Sequence, residues 1–267
     1  MITSYGNQFV REVIQLNQKA KVRDRQDLFV AEGIKMFAEA PTERIHRVFI
    51  AQRAETELGI AYGDKLAALP VEIVADDVFD KMSDTKTPQG ILCLVRQFHY
   101  KIGDMLAALN DKKRALFIVL EDLQDPGNLG TVFRTGEGAG VDGIVMSSRT
   151  VDVYNPKVIR STMGSVYRVP FLYTDDLCAA IRALQKCDIG VYAAHLGGGK
   201  FYDEYDYCGG TAFLVGNEGN GLRKETAACA DGLIRIPMEG SVESLNAAVA
   251  SSILLYEAYR QRRSESY

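Results

Sequence analysis

The chain has 267 residues, 47% of them hydrophobic, and sets 31 Lys and Arg against 35 Asp and Glu for a net charge of −4. That length and apolar share suit two domains or one large one with ordinary packed cores, while no apolar run nears the ~20 residues that span a bilayer and the opening MITSYGNQFVREV lacks the charged-then-apolar pattern of a secretory signal. The acidic total argues mildly against a nucleic-acid partner but does not exclude a local basic patch. The cysteines Cys93, Cys178, Cys187, Cys208 and Cys229 are odd in number and form no C-x-x-C pair. Free thiols in a reducing cytoplasm are therefore expected, and three scattered histidines give no reason to expect a metal.

Asn7 to Lys19 carries a helical stripe of Phe9, Val10, Val13, Ile14 and Leu16. Lys19, Lys21, Arg23 and Arg25 follow, and read either as a basic patch for RNA or as a solvated helix end. Leu28 to Ala31 is a short strand ending at Glu32-Gly33, and Ile34 to Ala40 returns to helix before Pro41. Val48 to Ala51, Val71 to Val74 and Ile91 to Val95 are β-type runs, with a short helix over Asp77 to Met82 and a polar loop over Ser83 to Gly90. This predicts a small α/β domain over residues 1–97. The pattern weakens over 98–113, apart from a helical turn or two around Met105 to Leu109, and a linker is placed there. It holds a second basic run, Lys112-Lys113-Arg114.

The second domain, 114–267, alternates strands with helices. The strands are Leu116 to Leu120, Gly143 to Ser147, Ile189 to Ala194, Ala212 to Val215 and Leu233 to Ile236. Such alternation predicts an α/β fold with a parallel sheet covered on both faces.

Four segments of this domain carry chemistry. Asp125-Pro126-Gly127-Asn128 is a helix start, with Asp125 suited to the N-cap and Pro126 to the first helical position. Leu129, Val132 and Phe133 then face the core and Arg134 falls off that stripe. Asn128 and Arg134 lie about 240° apart around an ideal helix, so spacing alone does not make them partners. Gly136-Glu-Gly-Ala-Gly140 mimics a nucleotide-binding fingerprint. It follows a helix, not a strand, so its glycines read as a helix end. Ala194-His195-Leu196 opens a glycine loop after a strand, where a lone His is more often incidental than catalytic. Gly216-Asn217-Glu218-Gly219 follows the next strand, and Ile236, Pro237 and Met238 give an apolar wall after the one beyond. Strand exits of this kind are where open α/β sheets bind ligands. Finally, Ser244 is placed to cap a helix from Leu245 to Tyr259. Leu245, Val249, Ile253 and Tyr256 are its expected core stripe, and Ala247, Ala250, Ser251 and Leu254 a second apolar side open to a partner chain.

Three of these segments, EDLQDPGNLGTVFRTGEGAG (Glu121 to Gly140), FLVGNEGNGL (Phe213 to Leu222) and IPMEGSVESLNAAVASSILLYEAYR (Ile236 to Arg260), resemble the three motifs of the SpoU/TrmH family of RNA ribose 2′-O-methyltransferases. The resemblance covers Leu116 to Arg260. The chain before it resembles, more loosely, the ribosomal-protein-like substrate-binding domain that many members carry. The resemblance implies a SPOUT fold with a trefoil knot, S-adenosyl-L-methionine as cofactor, a homodimer and structured RNA as substrate. Ribosomal RNA of the 23S type is favoured, with transfer RNA or a non-catalytic RNA-binding role as alternatives. Carried over residue by residue, it makes Arg134, Asn128, Glu218, Ser244 and Asn246 catalytic. The cofactor would be bound by Ala194, His195, Leu196, Gly216, Asn217, Glu218, Gly219, Ile236, Pro237, Met238, Ser244, Leu245 and Ala247. Arg160-Ser-Thr-Met-Gly164 resembles a family segment near the active-site dimer interface. The rival from another class is a dinucleotide-binding oxidoreductase, which needs a strand directly before its glycine fingerprint.

Overall fold

In the computed structural model, which describes residues 1–109, 111–241 and 244–264, the apolar runs of the N-terminal part form four strands. They are β1 (Leu28–Glu32), β2 (Ile45–Ala51), β3 (Val71–Val74) and β4 (Ile91–Arg96). They lie in the order β1-β4-β2-β3, with β4 antiparallel to β1 and β2, and β3 parallel to β2. The helix Gln8–Gln18 starts where Asn7 accepts a hydrogen bond from Phe9 N, and buries Val10, Val13 and Leu16. Those side chains join Phe49, Phe79, Met82, Leu92 and Leu94 in one core. Each fully buried side chain of this size contributes roughly 1.5–3 kcal/mol. The helix Glu55–Ala67 carries no sequence signal because Leu58 is its one buried residue, so it has no apolar stripe to read.

This unit comprises Met1–Phe98 together with Asp152–Tyr167. The second stretch falls within 114–267, so the sequence reading places it in the other domain. Its ties are tertiary: Tyr154 stacks on Phe29 at 4.7 Å between centroids, and Tyr167 Oη donates to Met36 O at 3.0 Å. Arg23 corrects the expected basic patch. It is 4% exposed and donates through Nη1 to Leu16 O at 2.6 Å and through Nε to Asp152 Oδ2 at 3.0 Å. The cause is local geometry. The helix Ala20–Gln26 turns residues two apart by about 200°, so Arg23 faces inward and satisfies carbonyls orphaned at the end of Gln8–Gln18. Lys19, Lys21 and Arg25 remain exposed.

The other unit, His99–Val151 with Arg168–Tyr267, is built on a seven-stranded sheet. Its strands are β5 (Leu116–Leu120), β6 (Gly143–Ser147), β7 (Phe171–Thr174), β8 (Gly190–Ala194), β9 (Lys200–Phe201), β10 (Thr211–Val215) and β11 (Gly232–Arg235). Every pairing is parallel, in the order β7-β6-β5-β10-β8-β11-β9. All five positions of β5, β6 and β10 are buried, as a parallel sheet covered on both faces requires. Phe117, Val119, Ala212 and Leu214 pack with Leu177, Ile181 and Leu184 of the helix Leu177–Gln185. The stretch expected as a linker contributes the helix Ile102–Ala107, whose Met105 and Leu106 enter that same core.

Two further expectations change. The final helix runs over Ala247–Ser264 and buries its small face, Ala247, Ala248, Ser251, Leu254, Leu255 and Ala258. Val249 and Tyr256, placed in the core stripe by sequence, are each 47% exposed. The reason is its neighbour, the helix Pro126–Ala139. Ser252 Oγ lies 3.3 Å from Thr135 Oγ1 and a Cβ at Gly138 would stand 3.0 Å from Tyr256 Oη, so the two helices approach closely. The cysteines also differ from expectation. Cys178 and Cys229 form a disulfide across 51 residues of sequence, and Cys93, Cys187 and Cys208 are outside it. The tertiary fold brings the pair together, with Gln185 Nε2 donating to Cys229 O at 2.9 Å, which no local cysteine spacing reports.

Arg23→Ala is expected to destabilise the protein by about 2–4 kcal/mol, since it strands Asp152 and two carbonyls. Lys21→Ala should stay within about 0.5 kcal/mol. Denaturant midpoints of the two variants check this, and equal midpoints would return Arg23 to the surface set.

Candidate active site

The loops after β5, β8, β10 and β11 open at one edge of the sheet, because parallel strands all end there. After β10 the chain reverses within six residues. Asn217 and Gly221 exchange backbone hydrogen bonds of 3.2 and 2.9 Å, with Gly221 at φ 65°. The Asn217 side chain organises the turn. Its Oδ1 accepts from Gly219 N at 2.8 Å and Asn220 N at 3.2 Å, and its Nδ2 donates to Asp122 O at 2.8 Å. Gly216 is obligatory, since a Cβ there would collide with the backbone of Gly221 and come within 2.5 Å of Leu222 N.

Asp125 caps the helix Pro126–Ala139 by accepting from Asn128 N at 2.8 Å, which fixes Asn128 one turn in. Asn128 Nδ2 then donates to Glu218 Oε1 at 2.7 Å, and Asn128 Oδ1 accepts from Asn246 Nδ2 at 2.9 Å. Asn246, not Ser244, caps the final helix: its Oδ1 accepts from Ala248 N at 2.9 Å and Val249 N at 3.2 Å. One relay, Asn246 to Asn128 to Glu218, thus joins three segments that are 90 and 118 residues apart.

Beside it lies a cleft of about 370 Å³, within the roughly 300–1,000 Å³ of small-molecule sites. Of the residues expected to hold a cofactor, Ala194, His195, Leu196, Gly216, Asn217, Glu218, Gly219, Ile236, Met238, Ser244, Leu245 and Ala247 line it and Pro237 does not. Val215, Asn220, Gly221, Leu222, Arg235 and Ala250 also line it. Asn220-Gly221 continue the Asn- and Gly-rich run already singled out, and marked themselves by composition. Arg235 carried no such signal; its guanidinium lies 4.7 Å from the centroid of the Phe201 ring. His195 Nδ1 accepts from Gly197 N at 3.0 Å, and a Cβ at Gly198 would approach Ile234 C to 2.8 Å. That loop therefore lies against β11, and His195 helps to shape it.

Arg134 is exposed and no contact joins it to the relay; among the described residues its side chain makes no hydrogen bond or ion pair. The glycines Gly136 to Gly140 end a helix, with Gly140 as its left-handed cap, so the strand that a dinucleotide fingerprint needs is missing. Among the described residues no group of His, Cys, Asp and Glu is arranged to hold a metal ion, and no helix is long and apolar enough to cross a membrane.

Residues 115–256 match the SpoU rRNA Methylase family and residues 7–93 the MRM3-like substrate binding domain. The chain is 31% identical to the 23S rRNA (guanosine(2553)-2'-O)-methyltransferase RlmP of Bacillus subtilis, over 96% of this chain and 97% of that protein. It is 32% identical to the 23S rRNA (guanosine-2'-O-)-methyltransferase RlmB of Bordetella pertussis, over 72% of this chain and 79% of that one. Among solved structures, the AdoMet-bound rRNA methyltransferase from Sinorhizobium meliloti superposes with a TM-score of 0.84 at 31% identity, covering 97% of each chain. The SpoU methyltransferase AviRb from Streptomyces viridochromogenes shares the fold with a TM-score of 0.83 at 24% identity, covering 97% of this chain and 99% of that one.

Gly216→Ala is expected to disrupt the loop and abolish ligand binding in the cleft. Gly219→Ala should leave the loop intact, because a Cβ there finds only Asn217 Oδ1 at 3.5 Å. Crystal structures of the two variants, with titration by S-adenosylhomocysteine, read the difference; an undisturbed loop in Gly216→Ala would refute the close approach.

Proposed function

The chain belongs to the SpoU rRNA methylase family, and from that premise we propose that it methylates a ribose 2′-hydroxyl of structured RNA, 23S-type ribosomal RNA first of all, using S-adenosyl-L-methionine. The observation that carries this reading is the Asn246–Asn128–Glu218 relay at the glycine-walled cleft. The cleft suits the cofactor. Leu196, Ile236, Met238 and Leu245 offer apolar surface to a flat heterocycle, Gly216 gives close backbone approach, and Glu218 is the carboxylate among the described lining residues. When bound, S-adenosyl-L-methionine supplies a methyl group on a sulfonium, open to in-line attack.

A ribose hydroxyl is a weak nucleophile at neutral pH, so the protein's task is alignment and stabilisation of developing oxyanion charge. Arg134 supplies the cation. A guanidinium holds its proton firmly, which makes it a poor general base and a good electrostatic activator. Asn128, Glu218 and Asn246 fix the geometry through their relay, and Ser244 lies at the cleft wall. The exposed Arg134 fits a site completed by a second copy of the chain. In support, Val249 and Tyr256 at 47% and Tyr259 at 40% exposure leave an apolar face on the final helix. We therefore read the protein as a homodimer acting in the cytoplasm. We also read its second unit as knotted, a reading supported by β10 lying between β5 and β8. Lys19, Lys21 and Arg25 remain as RNA contacts of the first unit.

Ribose-methylation mapping of total RNA, with and without the gene, tests the activity: loss of one 2′-O-methyl mark in 23S-type RNA is expected, and an unchanged map would sink it. Arg134→Ala should lower kcat by about 10²–10³-fold with cofactor affinity kept, and Lys should not restore it; near-normal turnover would remove Arg134 from the mechanism. Mixing Arg134→Ala chains with Gly216→Ala chains should recover activity if each site draws on both copies, and light scattering should give twice the chain mass. Neutralising Lys19, Lys21 and Arg25 should flatten the salt dependence of RNA binding by about 0.7–0.9 log unit per lost phosphate contact. An unchanged slope would place the RNA elsewhere.

A further inference from the structure

Glu121 is the first residue after β5. It is 1% exposed, and neither the relay nor the cleft wall uses it. Its backbone N donates to Val215 O at 2.9 Å. Its carboxylate accepts from Arg223 N and from Arg223 Nε, both at 2.7 Å, and from Thr226 Oγ1. All three donors lie just beyond the loop that follows β10. The next residue, Asp122, holds the start of that same loop, since its carbonyl oxygen receives Asn217 Nδ2 at 2.8 Å. Asp122 is itself fixed at φ 54°, with its N–H on Ser147 Oγ at 2.8 Å and Ser147 Oγ on its Oδ1 at 2.7 Å.

We propose that the dipeptide Glu121-Asp122 clamps the loop 216–222 at both ends, and that Glu121 is a positioning residue for binding of the methyl donor. The inference rests on reading the cleft as the cofactor site. A buried ion pair is a poor device for stability alone, because desolvating a carboxylate offsets most of its attraction. Three donors converging from one short segment do something else: they set where that segment sits. The loop they hold presents Gly216 to Leu222 to the cleft. Arg223 contributes its backbone and Nε while half of its side chain stays in solvent, so its placement serves the loop more than the core. Glu121 touches neither the cleft nor the relay, and its effect should fall on affinity and not on the chemical step.

The test compares the full-length wild type with Glu121→Gln, Thr226→Ala and the double variant. Amide exchange over 216–222, without ligand, should speed up in Glu121→Gln while exchange in β5 and β10 is unchanged. The KM for S-adenosylmethionine and the Kd for S-adenosylhomocysteine should rise about tenfold, as expected for lost hydrogen bonds to a charged group, with kcat within about threefold. The double variant should be no weaker than Glu121→Gln alone, because both remove the same grip. Should Glu121→Gln fail to fold, Thr226→Ala and Arg223→Ala carry the same readouts. Unchanged exchange over 216–222 would overturn the clamp. Faster exchange with unchanged KM and Kd would overturn its role in cofactor binding, as would a loss confined to kcat. A wild-type chain that binds neither compound would instead sink the cofactor reading, and the exchange data would then decide the clamp by themselves.

Discussion

Every strand of the second unit runs the same way, and the site depends on that. In a parallel sheet each strand must be followed by a crossover before the next can begin, so all carboxyl ends collect at one edge. Here that edge gathers Glu121 after β5, His195 after β8, Gly216 after β10 and Ile236 after β11. Residues separated by more than a hundred positions become neighbours there, as Glu121 and Arg223 or Asn128 and Asn246 do. The central place of β10, between β5 and β8, puts the most glycine-rich loop in the middle of this edge.

Close packing supplies the second requirement. Asn128 reaches Asn246 because the helix Pro126–Ala139 and the final helix lie against each other on small residues, with Ser252 Oγ 3.3 Å from Thr135 Oγ1. Helical glycines cost about 1 kcal/mol each relative to alanine, so Gly130 and Gly136 need a compensating reason. For Gly136 it is visible, as a Cβ would stand 3.0 Å from Val141 Cγ2. The same packing turns the larger residues Val249, Tyr256 and Tyr259 outward. One choice of interface therefore sets both the amide relay and the apolar face that a second chain would cover.

Charge works differently in the two units. In the first, Arg23 closes the end of one helix and holds Asp152, leaving its neighbours Lys19, Lys21 and Arg25 to solvent. In the second, Arg223 is paired with the buried carboxylate of Glu121, which raises its pKa further above the ordinary guanidinium range. Arg134, on the exposed side of the helix Pro126–Ala139, has no such tie. A guanidinium already committed to carbonyls and a carboxylate is fixed in place, whereas one without a partner is available to a substrate.

Local periodicity determined most of the elements. Val10, Val13 and Leu16 declared the first helix, and the unbroken runs LFIVL and TAFLV declared β5 and β10, because burial on one face or on both leaves its own pattern in sequence. The loops of the site were legible for a similar reason: Gly216, Asn217 and Glu218 after an apolar strand are a composition that ordinary turns rarely need. Other features left no local trace. Leu58 alone could not mark the helix Glu55–Ala67, β7 buries only its first two residues, and the two-residue strand β9 is too short to show a period. Arg23 looked like its exposed neighbours, the final helix offered two apolar faces of which only packing chooses one, and Cys178 found Cys229 across 51 residues of sequence. In each case the deciding quantity was the identity of a neighbour distant along the chain, and a sequence read by local pattern holds no record of who that neighbour is until the sheet has brought it there.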